Sequence, residues 1–270
     1  MDLKVLNATI KKEFQIRLHA YPISFMVGCI LTSFYTTFGA WLMYHYFFRK
    51  RLAVDFTELA GTSDYMSYAI VGSLMYLFVV RTCLNVSRTL ITELREGTLE
   101  SLMLAPFKRT SYFLGNMLLQ TFMTFGETAI ATLIGVFFGL RIHDFSLLKF
   151  VVATLLSLYG FFGLSLMLGC LMLYARDTYI SQNTLFTAMF LVCGVTFPKE
   201  YLPSWLQLIG SIIPVTDALT LMRGALLGGL STESFMLVSL RVFILGTIYI
   251  VMGFPLMKHV ERIALEKMEG

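Results

Sequence analysis

The run LLKFVVATLLSLYGFFGLSLMLGCLMLY at 147–174 contains one charged side chain, Lys149, close to its start. A helix crosses a bilayer core with about 20 apolar residues, and this run supplies more without a break. Apolar runs of similar kind lie on both sides, at about 23–48, 65–89, 112–140, 179–197 and 235–257. Six spans joined by short loops are therefore expected. The composition agrees, with 57% hydrophobic and 14% charged residues and a mean hydropathy of +0.73, whereas soluble domains carry about 25% charged residues. A soluble enzyme and a second soluble domain are excluded, and so is disorder, which requires low hydrophobicity. The expected fold class is an all-α integral membrane protein, a single transmembrane domain over 1–270 with six transmembrane helices.

The segments between the runs are informative too. At 2–20, Leu3, Leu6, Ile10, Phe14 and Leu18 recur at helical spacing, with Lys4, Lys11, Lys12 and Arg17 mostly elsewhere on the wheel. That pattern predicts an amphipathic helix in the membrane interface; the early charges leave no clean apolar core for a cleaved signal peptide. Near the other end, Pro203 and Pro214 bound an apolar stretch too short to cross, which predicts a re-entrant helical segment over about 200–214. Basic residues favour the side holding both termini, with the Arg49 to Arg51 cluster as the exception, so both termini are expected in the cytoplasm. The formal charge of +4 is scattered, and no nucleic-acid partner is expected. Cys29, Cys83, Cys170 and Cys193 lie inside apolar runs, and His19, His45, His143 and His259 are dispersed, so no metal or redox site is expected.

Between the second and third runs lies ELREGTLESLMLAP at 93–106. Gly97 or Thr98 can start a helix, Glu100 suits its first turn, and Pro106 stops it. The expected short helix covers about 97–105, with Leu99, Leu102 and Met103 on one edge and Glu96 and Glu100 polar. Isolated helices below about 12 residues are marginal in water. This one must dock, either on its own bundle or on another protein.

The core Arg95-Glu96-Gly97-Thr98-Leu99-Glu100, followed by Pro106, resembles the cytoplasmic coupling region of ABC type 2 exporter permeases. A second region is similar to the outward-side re-entrant part of the same family: Gly194 to Pro198 with Phe197, then Leu202-Pro203-Ser204-Trp205, then Pro214, then Arg223-Gly224. The resemblance implies an exporter permease working by alternating access in the cell inner membrane, with the coupling role on Glu93, Arg95, Glu96, Gly97, Thr98, Leu99, Glu100, Leu102, Met103 and Pro106. It implies two partners, a separate ATP-binding cassette ATPase subunit holding ATP and Mg, and a second permease chain, identical or not, about a twofold axis. No cofactor is expected on this chain. It has no Gly-x-x-x-x-Gly-Lys-Ser/Thr loop, so it is expected to be no enzyme and not the motor. The implied substrate is a lipid, glycan, drug or other amphipathic molecule. A membrane-embedded lipid-modifying enzyme would need clustered acid, base or nucleophile residues, and a secondary transporter commonly shows inverted repeats or several mid-membrane charges; neither pattern is evident.

Arg81 and Glu127 fall inside expected spans, where a central charge costs about 2.5–3.5 kcal/mol. Counted from the inner ends of the apolar runs, Arg81 lies about 12 Å deep and Glu127 about 23 Å deep. They are therefore not expected to pair. Glu127 matches Arg223 or Arg241 in depth, while Arg81 either snorkels to headgroups or meets an anionic substrate. Asp217 is expected to cap the helix bearing Arg223. Phe34, Tyr35, Phe38, Trp41, Phe161 and Phe162 suit packing or, alternatively, a pathway lining. Gly160, Gly163 and Gly169 predict close helix contact, within or between chains.

Overall fold

The computed structural model describes residues 3–20, 22–47, 54–98, 101, 104, 109–142, 144–175 and 184–266, which form helices and the turns between them, with no strand among the described residues. In chain order the helices are α1 (Leu3–Ala20), α2 (Pro22–Leu42), which runs into a π-helical turn Met43–Phe47, α3 (Val54–Ala60), α4 (Tyr65–Arg95) and α5 (Arg109–Phe137). There follow α6 (Leu147–Ala175), α7 (Phe186–Val192), α8 (Ser204–Ile212), α9 (Pro214–Leu226) and α10 (Thr232–Glu266). Among the described residues, four helices are long and apolar enough to cross a bilayer: Tyr65–Arg88 in α4, Ser111–Phe137 in α5, all of α6, and Thr232–Ile263 in α10. The α8 and α9 helices pass the same test only as a pair and are bent by 84°, the geometry of a broken span or a re-entrant loop. The molecule is an all-helical, multi-pass membrane protein.

The runs expected at 65–89, 112–140, 147–174 and 235–257 coincide with these four helices, and the run at 23–48 begins with α2. The fifth run differs. Residues 176–183 lie outside the described residues, and the helix ends at Val192 rather than at 197. There Gly194 takes φ +71°, and the Gly194 and Val195 carbonyls turn to Arg223 instead of continuing the helical ladder.

Local chemistry sets the ends of α4. Asp64 accepts the Ser67 N–H at 3.2 Å and the Ser67 hydroxyl at 2.6 Å, a side-chain cap at the first turn. At the other end the Thr98 N–H donates to the Glu93 carbonyl at 2.9 Å and the Gly97 N–H to Leu94 at 3.3 Å. With Gly97 at φ +71° this is a Schellman ending. Gly97, expected to open the coupling helix, instead closes α4, because left-handed backbone terminates a helix and does not begin one.

The centre of the bundle is α6, packed against α4, α9 and α10. Its glycines make this possible. A Cβ on Gly163 would stand 2.8 Å from the Gly246 carbonyl oxygen, one on Gly160 3.2 Å from Pro214, and one on Gly169 3.0 Å from Met257. The close contacts of these glycines thus lie within one chain, the small-residue packing that lets membrane helices approach. Phe161 and Phe162 are buried in this core and pack there. Phe34, Phe38 and Trp41 of α2 instead surround Phe138, just past α5.

Helix α1 lies along α5 and touches α2, with Leu6 and Thr9 buried and Phe14 exposed. A Cβ on Gly115 would meet the Leu6 carbonyl oxygen and Thr9 Cβ at 3.1 Å, so α1 seats against the first half of α5. Outward faces of α5 and α10 remain apolar, with Phe122, Leu133, Met236 and Leu237 well exposed, the surface expected of helices bathed in lipid.

Candidate coupling site and intramembrane ion pairs

Glu93 lies in the last turn of α4 and is buried. One carboxylate oxygen accepts the Lys12 ammonium of α1 at 2.7 Å and the Tyr112 hydroxyl of α5 at 2.7 Å; the other accepts the Thr98 hydroxyl. A single side chain thus joins the interface helix, the ends of two candidate spans and the start of the segment between them. Burial alone would raise its proton affinity, yet the hydrogen bonds from Lys12, Thr98 and Tyr112 outweigh it and hold the carboxyl below its ordinary range. The sign follows from linkage: a depressed carboxyl stabilises fully above its ordinary value, near pH 4.3, and that contribution fades as pH falls through the depressed one. We expect Glu93→Gln to cost about 1–2 kcal/mol at neutral pH, Lys12 being half exposed, and the difference from wild type to shrink below about pH 4. Unfolding midpoints in detergent between pH 3 and 7 measure this; a pH-independent difference would contradict the clasp.

Of the other coupling candidates, Arg95, Glu96, Gly97 and Thr98 are exposed beside this clasp. Leu99, Glu100, Leu102, Met103 and Pro106 lie outside the described residues, as does most of the helix expected at 97–105. Ser101 and Leu104 are described, helical and exposed.

Inside the bundle, Arg81 Nε stands 3.1 Å from Glu127 Oε2. This corrects the expectation that the two do not pair. The depth count began at the ends of the apolar runs, whereas α4 continues to Arg95 and α5 begins at Arg109. Measured from those ends the depths are about 21 and 27 Å, a gap that an arginine side chain spans. Glu127 accordingly pairs with neither Arg241 nor Arg223. Arg241 pairs with Asp217 at 3.1 Å and donates to the Ser211 carbonyl at 2.7 Å, stapling α10 to the α8–α9 bend. Asp217 is therefore no helix cap: the cap position, Ile213, makes no side-chain hydrogen bond, and Pro214 opens α9 at its first turn.

Arg223 is the polar centre of the other end. It donates to the Tyr68 hydroxyl at 2.8 Å, the Gly194 carbonyl at 3.1 Å and the Val195 carbonyl at 2.5 Å, with its guanidinium 3.6 Å from the Tyr68 ring centre. A Cβ on Gly72 would collide with the Val195 carbonyl and with Arg223, so α4 needs glycine there. Of the re-entrant candidates, Pro198 and Pro214 are buried, Phe197 and Leu202 partly buried, and Pro203 and Trp205 exposed. Lys12, Tyr112, Tyr68 and Gly72 were not legible as site residues; only the basic residues of the amphipathic start hinted at Lys12. Among the described residues no three histidine, cysteine or acidic side chains are placed to share a metal ion.

No curated protein matches the chain at a significant level. The family model for the ABC-2 type transporter matches residues 6–227, which takes in the Glu93 clasp, the Arg81–Glu127 pair and the Arg223 centre. Membership makes the molecule a membrane component of a transporter and implies association with an ATP-binding cassette ATPase subunit. With a match over most of its length, this chain belongs to the ABC-2 type transporter family.

Proposed function

We propose that the chain is the permease subunit of an ATP-driven exporter, moving a lipid, glycan, drug or other amphipathic molecule. In this reading α2 and the segment at 179–197 complete six spans, and both termini lie in the cytoplasm at the inner membrane. Two permease chains, alike or different, enclose the pathway. A separate ATPase subunit binds ATP and Mg, and its closure pushes on residues 96–104.

The observation that supports this best is the buried Glu93 carboxylate. A push on a loop moves a membrane helix only if the loop root is rigid. Here one side chain fastens Thr98 at that root to α4, α5 and α1 together. Force applied beyond Thr98 therefore enters two candidate spans at once. Alternating access then requires only that the paired halves rock as units, with α6 as the rigid centre of each.

The test is coupling. In proteoliposomes containing the ATPase partner, Leu99→Asp is expected to lower transport at least tenfold while the permease keeps its unfolding midpoint. Undiminished transport by that variant, or by the permease without any ATPase, would overturn the reading.

A further inference from the structure

We propose that the pocket beside Tyr68, at the opposite end of α4 from Glu93, is a binding site for a zwitterionic head: an ammonium group and an anionic phosphate or carboxylate held close together. The pocket has a volume of about 350 Å³, within the size range of small-molecule sites, roughly 300–1,000 Å³. Its floor is one face of α9. Thr216, Thr220 and Arg223 follow one another at i, i+4 and i+7 and so form a polar stripe down that helix. The Thr216 and Thr220 hydroxyls donate to the Gly210 and Thr216 carbonyls, which leaves their oxygens able to accept from a ligand.

The walls bring both signs of charge. Glu58 comes from α3, and Lys199 and Glu200 from the 3-10 turn before α8. Among the described residues none of these three side chains is held in an ion pair or a side-chain hydrogen bond. With Arg223 the lining balances two carboxylates against two cations. Such a wall disfavours a purely anionic or purely cationic ligand and suits one that carries both charges. A sugar ring fits less well, because the one aromatic face in the lining, Tyr68, is already covered by the Arg223 guanidinium. The rim is fixed: Gly229 has φ +78°, and a Cβ there would stand 2.9 Å from the Gly61 carbonyl oxygen, so two lining loops meet at backbone distance.

The inference stands on this pocket alone and requires no ATP coupling, so its failure leaves the transport reading untouched. The same chemistry occurs in a phospholipid headgroup and in a free solute, and two measurements separate them. Native mass spectrometry of the full chain, released from nanodiscs holding equal phosphatidylethanolamine and phosphatidylglycerol, reads lipid retention. Calorimetry with soluble glycerophosphoethanolamine reads free-solute binding. We expect at least tenfold preferential retention of phosphatidylethanolamine, saturable binding of glycerophosphoethanolamine, or both. The preference should vanish in a Glu58→Gln, Glu200→Gln double variant, and affinity should fall in Lys199→Gln. Retention of the lipid alone assigns a membrane lipid, and saturable binding of the solute assigns a free zwitterion. Equal retention of both lipids with no solute binding, binding indifferent to these substitutions, or displacement by a neutral oligosaccharide overturns the proposal.

Discussion

Arg223→Ala is expected to destabilise the protein by about 3–5 kcal/mol and to sharply reduce the amount of folded chain recovered from membranes. The guanidinium serves three acceptors at once, Tyr68 and the carbonyls of Gly194 and Val195. Each buried acceptor stranded by truncation costs about 1–3 kcal/mol, and relief of the buried charge offsets part of the sum. The damage should spread. The two carbonyls belong to the turn that ends α7, and Gly72 of α4 is packed directly against that turn, so α4, α7 and α9 lose their common fastening. Arg223→Lys separates charge from geometry. An ammonium keeps the charge but lacks the planar fork that reaches two neighbouring carbonyls, so it should recover less than half of the loss. Unfolding midpoints of the purified chain in detergent measure both variants. A midpoint for Arg223→Ala within error of wild type would show that the turn is held by something else.

The features legible before the structure were those set by neighbouring residues. Four candidate spans follow from continuous apolar runs, and the short α8 followed by Pro214 follows from proline spacing. Arg223 entered through the resemblance and as one of two depth-matched candidates for Glu127, a pairing that the structure replaces with Arg81. Harder features depended on how helices pack. Lys12 and Glu93 are 81 residues apart, and nothing local announces that α1 lies along α5. Asp217 looked like a helix cap because capping is a nearest-neighbour rule, but its partner, Arg241, sits on another helix. Gly97 could be assigned as a start or a stop by composition alone; only its positive φ decides for a stop. The Arg81–Glu127 error has the same root. An apolar run marks where lipid-compatible sequence ends, whereas depth in a bundle is counted along the helix, and α4 outlasts its apolar run by about two turns.

That ion pair yields the second large effect, and it is asymmetric. Arg81→Ala takes the Arg81 cation away from Glu127, whose side chain is only 3% exposed, and the expected cost is about 3 kcal/mol, the lower end for breaking a buried pair because Arg81 itself is a third exposed. Glu127→Ala should cost less, about 1–2 kcal/mol, because a long arginine stem can turn its charge toward water or headgroups while its methylenes stay on apolar surface. Replacing both with leucine removes two charges from apolar surroundings together and should return stability to within about 1 kcal/mol of wild type. A cycle built from Arg81→Leu, Glu127→Leu and their double variant therefore predicts strong coupling between the two positions; single-variant losses that simply add in the double variant would mean that the 3.1 Å contact contributes nothing. The same double variant then assigns a role. If it transports at the wild-type rate in proteoliposomes, the pair is a fastening between α4 and α5. If it is as stable as wild type yet transports at least tenfold more slowly, the charges act on the moving substrate or on the rocking of the two helices, and the cost of keeping them inside the bundle is accounted for by function.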